Sequence, residues 1–247
     1  MQVCLVVPCY NEARRLNVEG FRSYLANTPE THLLFVDDGS RDNTVEVLGR
    51  VCAGFEERAA ILRCSVNVGK AEAVRLGILH ALAHFSNQFV GFWDADLATP
   101  LDAVTRFLRV LDERPMIEMV FGSRVQLLGR HVERLAIRHY LGRIFATAVS
   151  TVLRMPIYDT QCGAKIFRVT SVTPQIFAEK FLSKWVFDVE IIARYLNLYR
   201  KDARLLETAI YEYPLERWVD VAGSKVRPLD FLRAFVDVVK IKHRYLS

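Results

Sequence analysis

The chain has 247 residues, of which 51% are hydrophobic and 25% charged, with a formal net charge of +5. That composition excludes a disordered or fibrous chain, and the length fits one large α/β domain or one domain with an appendage, with core enough to need no disulfide staples. The mild basic excess suits anionic partners without choosing among them, and five cysteines with no CxxC pair read as reduced thiols rather than a zinc site.

In chain order, Val3–Val7, Leu33–Val36, Ile61–Leu62 and Phe89–Trp93 are short apolar runs rich in β-branched or aromatic residues, and each reads as a buried strand. Helical patterns lie between them. Thr44–Cys52 follows the capping residues Ser40 and Asp42, Ala71–Phe85 follows a Gly-Lys turn, and Leu101–Glu113 follows Thr99-Pro100. A further strand is predicted at Met119–Phe121. Strands alternating with helices predict a mostly parallel, doubly wound sheet with helices on both faces.

The second half changes character. Val132–Leu153 carries apolar residues at helical spacing, and Arg130, Arg134 and Arg138 recur every four residues as one basic ridge. Pro228–Tyr245 pairs an apolar stripe with Arg233, Lys240, Lys242 and Arg244. Residues 1–227 are expected to form one domain, with 228–247 a basic amphipathic C-terminal helix. Each amphipathic segment could pack on the sheet or lie on a membrane surface. No signal peptide or membrane span is visible, so the protein is expected to be soluble or peripheral.

Polar residues cluster where the predicted strands end: Pro8 to Glu12, Asp37 to Asp42, Asn67 to Lys70, and Asp94-Ala95-Asp96. Ligands of doubly wound sheets bind at that edge. Two carboxylates on one short turn, Asp94 and Asp96, can hold a hard cation such as Mg²⁺ or Mn²⁺, which can neutralise a departing diphosphate. Asp38 is suited to a base or ribose, or to a turn; Lys70 to a base or phosphate, or to solvent. A P-loop and a GxGxxG are both absent, which argues against a P-loop enzyme and a dinucleotide enzyme.

In combination, Pro8-x-Tyr10-Asn11-Glu12, Val36-Asp37-Asp38-Gly39-Ser40-x-Asp42, Asn67-x-Gly69-Lys70 and Asp94-x-Asp96 resemble family 2 glycosyltransferases of the GT-A fold. More narrowly, the chain is similar to dolichyl-phosphate β-glucosyltransferases and bacterial polyprenyl-phosphate relatives. That rests on Ala73-Val74-Arg75-x-Gly77, Asp94 through Pro100, Gly122-Ser123-Arg124, Tyr158 through Gly163, Trp185-x-Phe187-Asp188-x-Glu190 and Gly223-Ser224-Lys225. Ala71 and Ala164 depart from the family pattern, where a glycine and an aromatic are usual.

The resemblance implies an inverting, metal-dependent transfer of a hexose, with a lean to UDP-glucose, onto a polyprenyl phosphate. Pro8, Tyr10, Glu12, Asp38, Lys70 and Ala95 would hold the nucleotide, and Asp94 and Asp96 the diphosphate through Mg²⁺ or Mn²⁺. Arg124, Arg134, Arg138 and Lys225 would grip the acceptor phosphate. Asp159 is the first candidate for orienting the sugar or acting as base, with Asp188 and Glu190 behind it. A phosphate acceptor is largely dianionic at neutral pH and needs little help from a base. The implied place is the cytoplasmic face of a membrane, held peripherally, since eukaryotic members carry an N-terminal anchor and this chain starts on its first strand. No nucleic-acid partner is expected. A glycosyltransferase for a hydroxyl acceptor, a nucleotidyltransferase and a non-catalytic scaffold are the rivals.

Overall fold

The computed structural model describes residues 1–133, 136–221 and 228–247, without the side chains of 136–139 and 228–232. The elements in chain order are β1 (Val3–Cys9), α1 (Val18–Asn27), β2 (Thr31–Asp37), α2 (Thr44–Cys52), β3 (Ala59–Arg63), α3 (Lys70–His84), β4 (Phe89–Trp93), α4 (Asp102–Glu113), β5 (Met119–Ser123), β6 (His131–Glu133), α5 (Ala136–Leu153), β7 (Ala164–Arg168), α6 (Thr173–Ala178), α7 (Phe187–Leu198), α8 (Ala203–Glu207), β8 (Ile210–Pro214), β9 (Arg217–Val219) and α9 (Pro228–Tyr245). The chain separates into two compact units, Met1–Leu97 with Ala164–Lys180, and Ala98–Gly163 with Phe181–Ser247.

In the first unit β3, β2, β1 and β4 run parallel in that order, and β7 pairs antiparallel with the far side of β4, Trp93 opposite Ala164. β1 is buried at every position but Pro8, as a parallel strand covered on both faces must be. Helix α3 lies close on the sheet because residue 77 is glycine. A Cβ there would come within 2.4 Å of Val6 Cγ1 and 2.8 Å of Val36 Cγ2. The order 3-2-1-4 reverses the direction of winding between β1 and β4. The carboxyl ends of those two strands therefore form the crevice where such sheets take ligands, and Pro8–Glu12 and Asp94–Asp96 sit there.

In the second unit β5 and β8 pair in parallel, as do β6 and β9. Helix α4 buries Ala103, Val104, Phe107, Leu108 and Leu111, one helical face. Of the helix expected from Val132, the described part is α5, and it does not include Val132. Val132 and Glu133 belong to β6, where buried Val132 alternates with exposed His131 and Glu133 and lies opposite Trp218. That period of two belongs to a strand. Arg130 precedes β6 and pairs with Glu216 at 3.3 Å, so it does not share a helix with Arg138 and the ridge of three arginines is not one helical face. Among the described residues no helix is long and apolar enough to cross a membrane.

Candidate functional site

The donor-side residues are fixed by hydrogen bonds between the loops that follow β1, β2 and β3. Asn11, in the left-handed region at φ 53°, donates its N–H to Ser40 Oγ and accepts from Arg41 N. Glu12 N donates to Thr44 Oγ1 at 2.8 Å. Asp42 Oδ1 accepts from Thr44 N in the turn that leads into α2, whose N-cap position is Asn43 rather than the expected Ser40 or Asp42.

Asp38 is buried. Its Oδ1 accepts from Val68 N at 2.7 Å, and its Oδ2 accepts from Gly69 N and Asn67 Nδ2, both at 2.9 Å. The carboxylate read as a base or ribose ligand thus clamps the loop that delivers Lys70. Gly39 makes the clamp possible. Its φ is 65°, and a Cβ there would stand 2.6 Å from the Val66 carbonyl carbon.

Glu12 is also buried and is held by Arg15, whose Nε and Nη2 donate to its two oxygens at 2.9 and 2.6 Å. These bonds hold the Arg15 pKa above its ordinary value, and the charge of Asp96 adds to the pull. Arg15 therefore lies within electrostatic reach of the second carboxylate of the Asp94-x-Asp96 turn. The sequence reading passed over it, although Glu12 and Arg15 stand three residues apart, a spacing that lets two side chains meet.

The turn after β4 closes with Leu97 N donating to the Asp94 carbonyl at 3.3 Å. Leu97 has φ 53°, a strained conformation for a residue with a Cβ and one that marks functional turns. Ala95 is buried beneath, while Asp94 and Asp96 are half-buried. Asp94 Oδ1 is covered and accepts no hydrogen bond from a described residue, while the ammonium of Lys70 lies 2.5 Å from it as an ion pair. A covered carboxylate oxygen served only by a cation fits ligation of a divalent metal. Among the described residues no three His, Cys, Asp or Glu side chains gather for one. The two carboxylates would therefore need oxygens from the ligand to complete a shell of six. Tyr10 and Pro8 are half-buried at the end of β1.

A different arrangement occupies the second unit. Arg124, just past β5, donates from Nε to Asp159 Oδ2 at 2.6 Å and from Nη2 to Asp159 Oδ1 at 2.7 Å. Its backbone N–H donates to the same carboxylate. The guanidinium lies over the Trp218 ring, 5.3 Å from the centroid. Glu212, inside β8, accepts from the backbone N–H of Tyr158 and from that of Asp159 at 2.7 Å, so it anchors the corner that carries Asp159. Burial pushes the Glu212 carboxyl above its ordinary pKa. Arg143 of α5 lies over the Tyr158 ring and donates to the Tyr158 carbonyl at 2.8 Å.

Asp188 is buried in the first turn of α7, on a separate element from Asp159. Glu190 is fully buried and accepts from Leu182 N, Arg194 Nη2 and Tyr245 OH. It ties α7 to the end of α9. Arg134 and Lys225 lie outside the described residues, as does the side chain of Arg138 on α5.

Similarity to known proteins matches this layout. The sequence profile of glycosyl transferase family 2 matches residues 4–172. The dolichyl-phosphate β-glucosyltransferase of Drosophila melanogaster is 31% identical over 261 residues, covering 100% of this chain and 76% of the relative. That of Saccharomyces cerevisiae is 30% identical, covering 98% and 74%. Among solved structures, glucosyl-3-phosphoglycerate synthase from Mycobacterium tuberculosis in complex with Mn²⁺, uridine diphosphate and glucosyl-3-phosphoglycerate aligns with a TM-score of 0.68. It is 19% identical and covers 98% of this chain and 80% of its own. At that identity the likeness establishes the GT-A fold. The chain belongs to glycosyl transferase family 2, in which dolichyl-phosphate β-glucosyltransferases are its relatives.

Proposed function

We propose that this protein transfers glucose from UDP-glucose to a polyprenyl phosphate, inverting the anomeric carbon, at the cytoplasmic face of a membrane with which it associates peripherally. The observation that carries the reading is the Asp94-x-Asp96 turn at the switch point of the sheet, with Asp94 Oδ1 covered and paired to Lys70. The relatives named as dolichyl-phosphate β-glucosyltransferases supply the donor sugar and the acceptor class. The structural neighbour's complex with Mn²⁺ and uridine diphosphate supports a divalent metal and a uridine nucleotide here.

Asp94 and Asp96 would hold Mg²⁺ or Mn²⁺, which when bound would supply the charge neutralisation that a departing UDP needs. Lys70 adds a positive charge beside Asp94. Arg15 and Glu12 hold the loop after β1, and Asp38 holds the loop before Lys70, so that Tyr10 and Pro8 border the nucleotide. Both roles are positional, which is what transfer to an existing nucleophile demands most.

The acceptor phosphate carries nearly two negative charges at neutral pH and attacks without giving up a proton. Arg124 meets it with its plane set by Asp159 and Trp218, since guanidinium edges match phosphate oxygens. In this reading Asp159 orients Arg124 and takes no proton. Arg134, Arg138 and Lys225 stay as further candidates for the acceptor phosphate, and Asp188 for orienting the sugar or acting as base.

The test is transfer of radiolabelled glucose from UDP-glucose to a short polyprenyl phosphate with Mn²⁺ or Mg²⁺, comparing the intact protein with Asp96→Asn. Labelled lipid from the intact protein alone supports donor, acceptor and metal site together. UDP release that requires a hydroxyl acceptor, with no lipid product from any nucleotide sugar, overturns the acceptor and leaves the donor site standing.

A further inference from the structure

Helices α5 and α9 pack on one another through Phe145 and Phe235, whose rings lie 5.5 Å apart at 74°. The apolar residues flanking that contact in sequence are not covered. Tyr140, Leu141 and Ile144 on α5 and Val236 and Val239 on α9 are between 41 and 68% exposed. A lone exposed apolar side chain is ordinary, but five on two helices in mutual contact are not.

The charges on these helices point to the occupant. Helix α5 contains no Asp or Glu, and together the two helices carry a formal net +4 (Arg138, Arg143, Arg233, Lys240, Lys242 and Arg244 against Asp230 and Asp237) out of the chain's +5. Asp237 accepts from Ser183 Oγ at 2.8 Å and pairs with Lys240 at 3.0 Å, which leaves Lys242, His243 and Arg244 at the helix end as the basic excess. Lys240, Lys242, His243 and Arg244 are exposed beyond Val239. Apolar groups beside a cluster of cations match the interfacial layer of an anionic bilayer, where rings and aliphatic groups enter below the headgroups and ammonium groups stay among the phosphates.

We infer that the exposed face of α5 and α9 docks this protein onto an anionic lipid surface. The inference deepens the polyprenyl-phosphate reading and rests on it for its purpose: an acceptor whose chain lies in a bilayer is reached only by an enzyme that sits on one. The same face can be tested without turnover.

The experiment is flotation of the full chain with vesicles of phosphatidylcholine, alone or with phosphatidylserine, for the intact protein, Ile144→Glu/Val239→Glu and Lys240→Ala/Lys242→Ala. The intact protein should float with the anionic vesicles. The glutamate pair should lower binding at least tenfold, and each lysine removed should cost about fivefold on anionic vesicles and little on neutral ones. The alanine pair changes exposed side chains only and keeps the question answerable if the glutamate pair fails to fold. Transfer to a short, water-soluble polyprenyl phosphate should be unchanged in both variants, while transfer to a long-chain acceptor in vesicles should fall. Flotation that ignores both substitutions overturns the inference. So does a concentration-dependent dimer, lost in the glutamate pair, in a protein that never floats, because the face is then covered by a second copy. A protein that floats as expected but transfers nothing to the short acceptor overturns the functional reading and leaves the docking surface in place.

Discussion

The two charged clusters are built on opposite terms. Lys70 and Asp94 meet through one contact at 2.5 Å, with side chains 43 and 34% exposed. Arg124 and Asp159 meet through two side-chain bonds and a backbone N–H, with side chains 16 and 8% exposed. An exposed single-contact pair contributes about 0–1 kcal/mol. Removing one partner of a nearly buried pair costs about 3–5 kcal/mol, because the other charge stays behind in a poor solvent. In the proposed reading, Lys70 exchanges a carboxylate for a diphosphate, which suits a loose hold, and Arg124 presents a fixed plane to its ligand, which suits a firm one.

The sharpest way to break the comparison is Asp159→Ala. It should lower unfolding free energy by about 3–5 kcal/mol, measured by urea titration, whereas Lys70→Ala should change it by less than about 1 kcal/mol. Equal effects of the two substitutions would sink the contrast. Next in size is Asp94→Asn, which should lower kcat by on the order of 10²–10³-fold, as loss of a preorganised electrostatic partner does, with the urea midpoint nearly unchanged. A Mn²⁺ titration of the intact protein and the variant checks that the loss tracks metal affinity.

Gly39→Ala comes third. The left-handed conformation alone costs about 1–2 kcal/mol, and the contact with Val66 adds to it. Its KM for the nucleotide sugar should rise more than kcat falls, since the strain reaches Lys70 through the Asp38 clamp. Smallest is a labelling experiment. Burial pushes the Cys4 thiol up to about 12, the Cys52 thiol up to about 11 and the Cys9 thiol well above its ordinary value. All three should therefore hold their protons, and iodoacetamide in mild alkali should reach half-exposed Cys64 first, with buried Cys9 and Cys162 last. Asp159→Ala should speed Cys162, three residues along, and leave Cys9 slow. Mass spectrometry of the peptides reads both.

Much of the donor side was legible because its signals are local. Phe89–Trp93 is a continuous apolar run followed at once by Asp94-x-Asp96, and strand and turn both stand where the sequence puts them. Thr44–Cys52 and Pro228–Tyr245 likewise match their helices in the structure. What the sequence hid depends on partners far along the chain. Strand β7 escaped notice because Lys165 interrupts its apolar run. In the structure that lysine is fully buried, its ammonium 5.6 Å from the centre of the Phe92 ring. Glu212, between Tyr211 and Tyr213, carries no sequence signal, and only the fold shows its carboxylate taking the N–H groups of Tyr158 and Asp159. Asp38 is the mixed case: its place at a strand end was readable, but the loop that fills its carboxylate was not.

Strand β7 also has a consequence for synthesis. It pairs with the open side of β4, yet it lies some 75 residues further along the chain. At roughly 5–20 residues per second on the ribosome, β4 waits about 4–15 s with a row of unpaired N–H and C=O groups and no strand to cover them. The nascent protein therefore passes through a window in which its half-built sheet is an adhesive edge. A chaperone that shields this edge, or a slow codon stretch placed after β7 rather than before it, would decide how much of the newly made protein escapes aggregation.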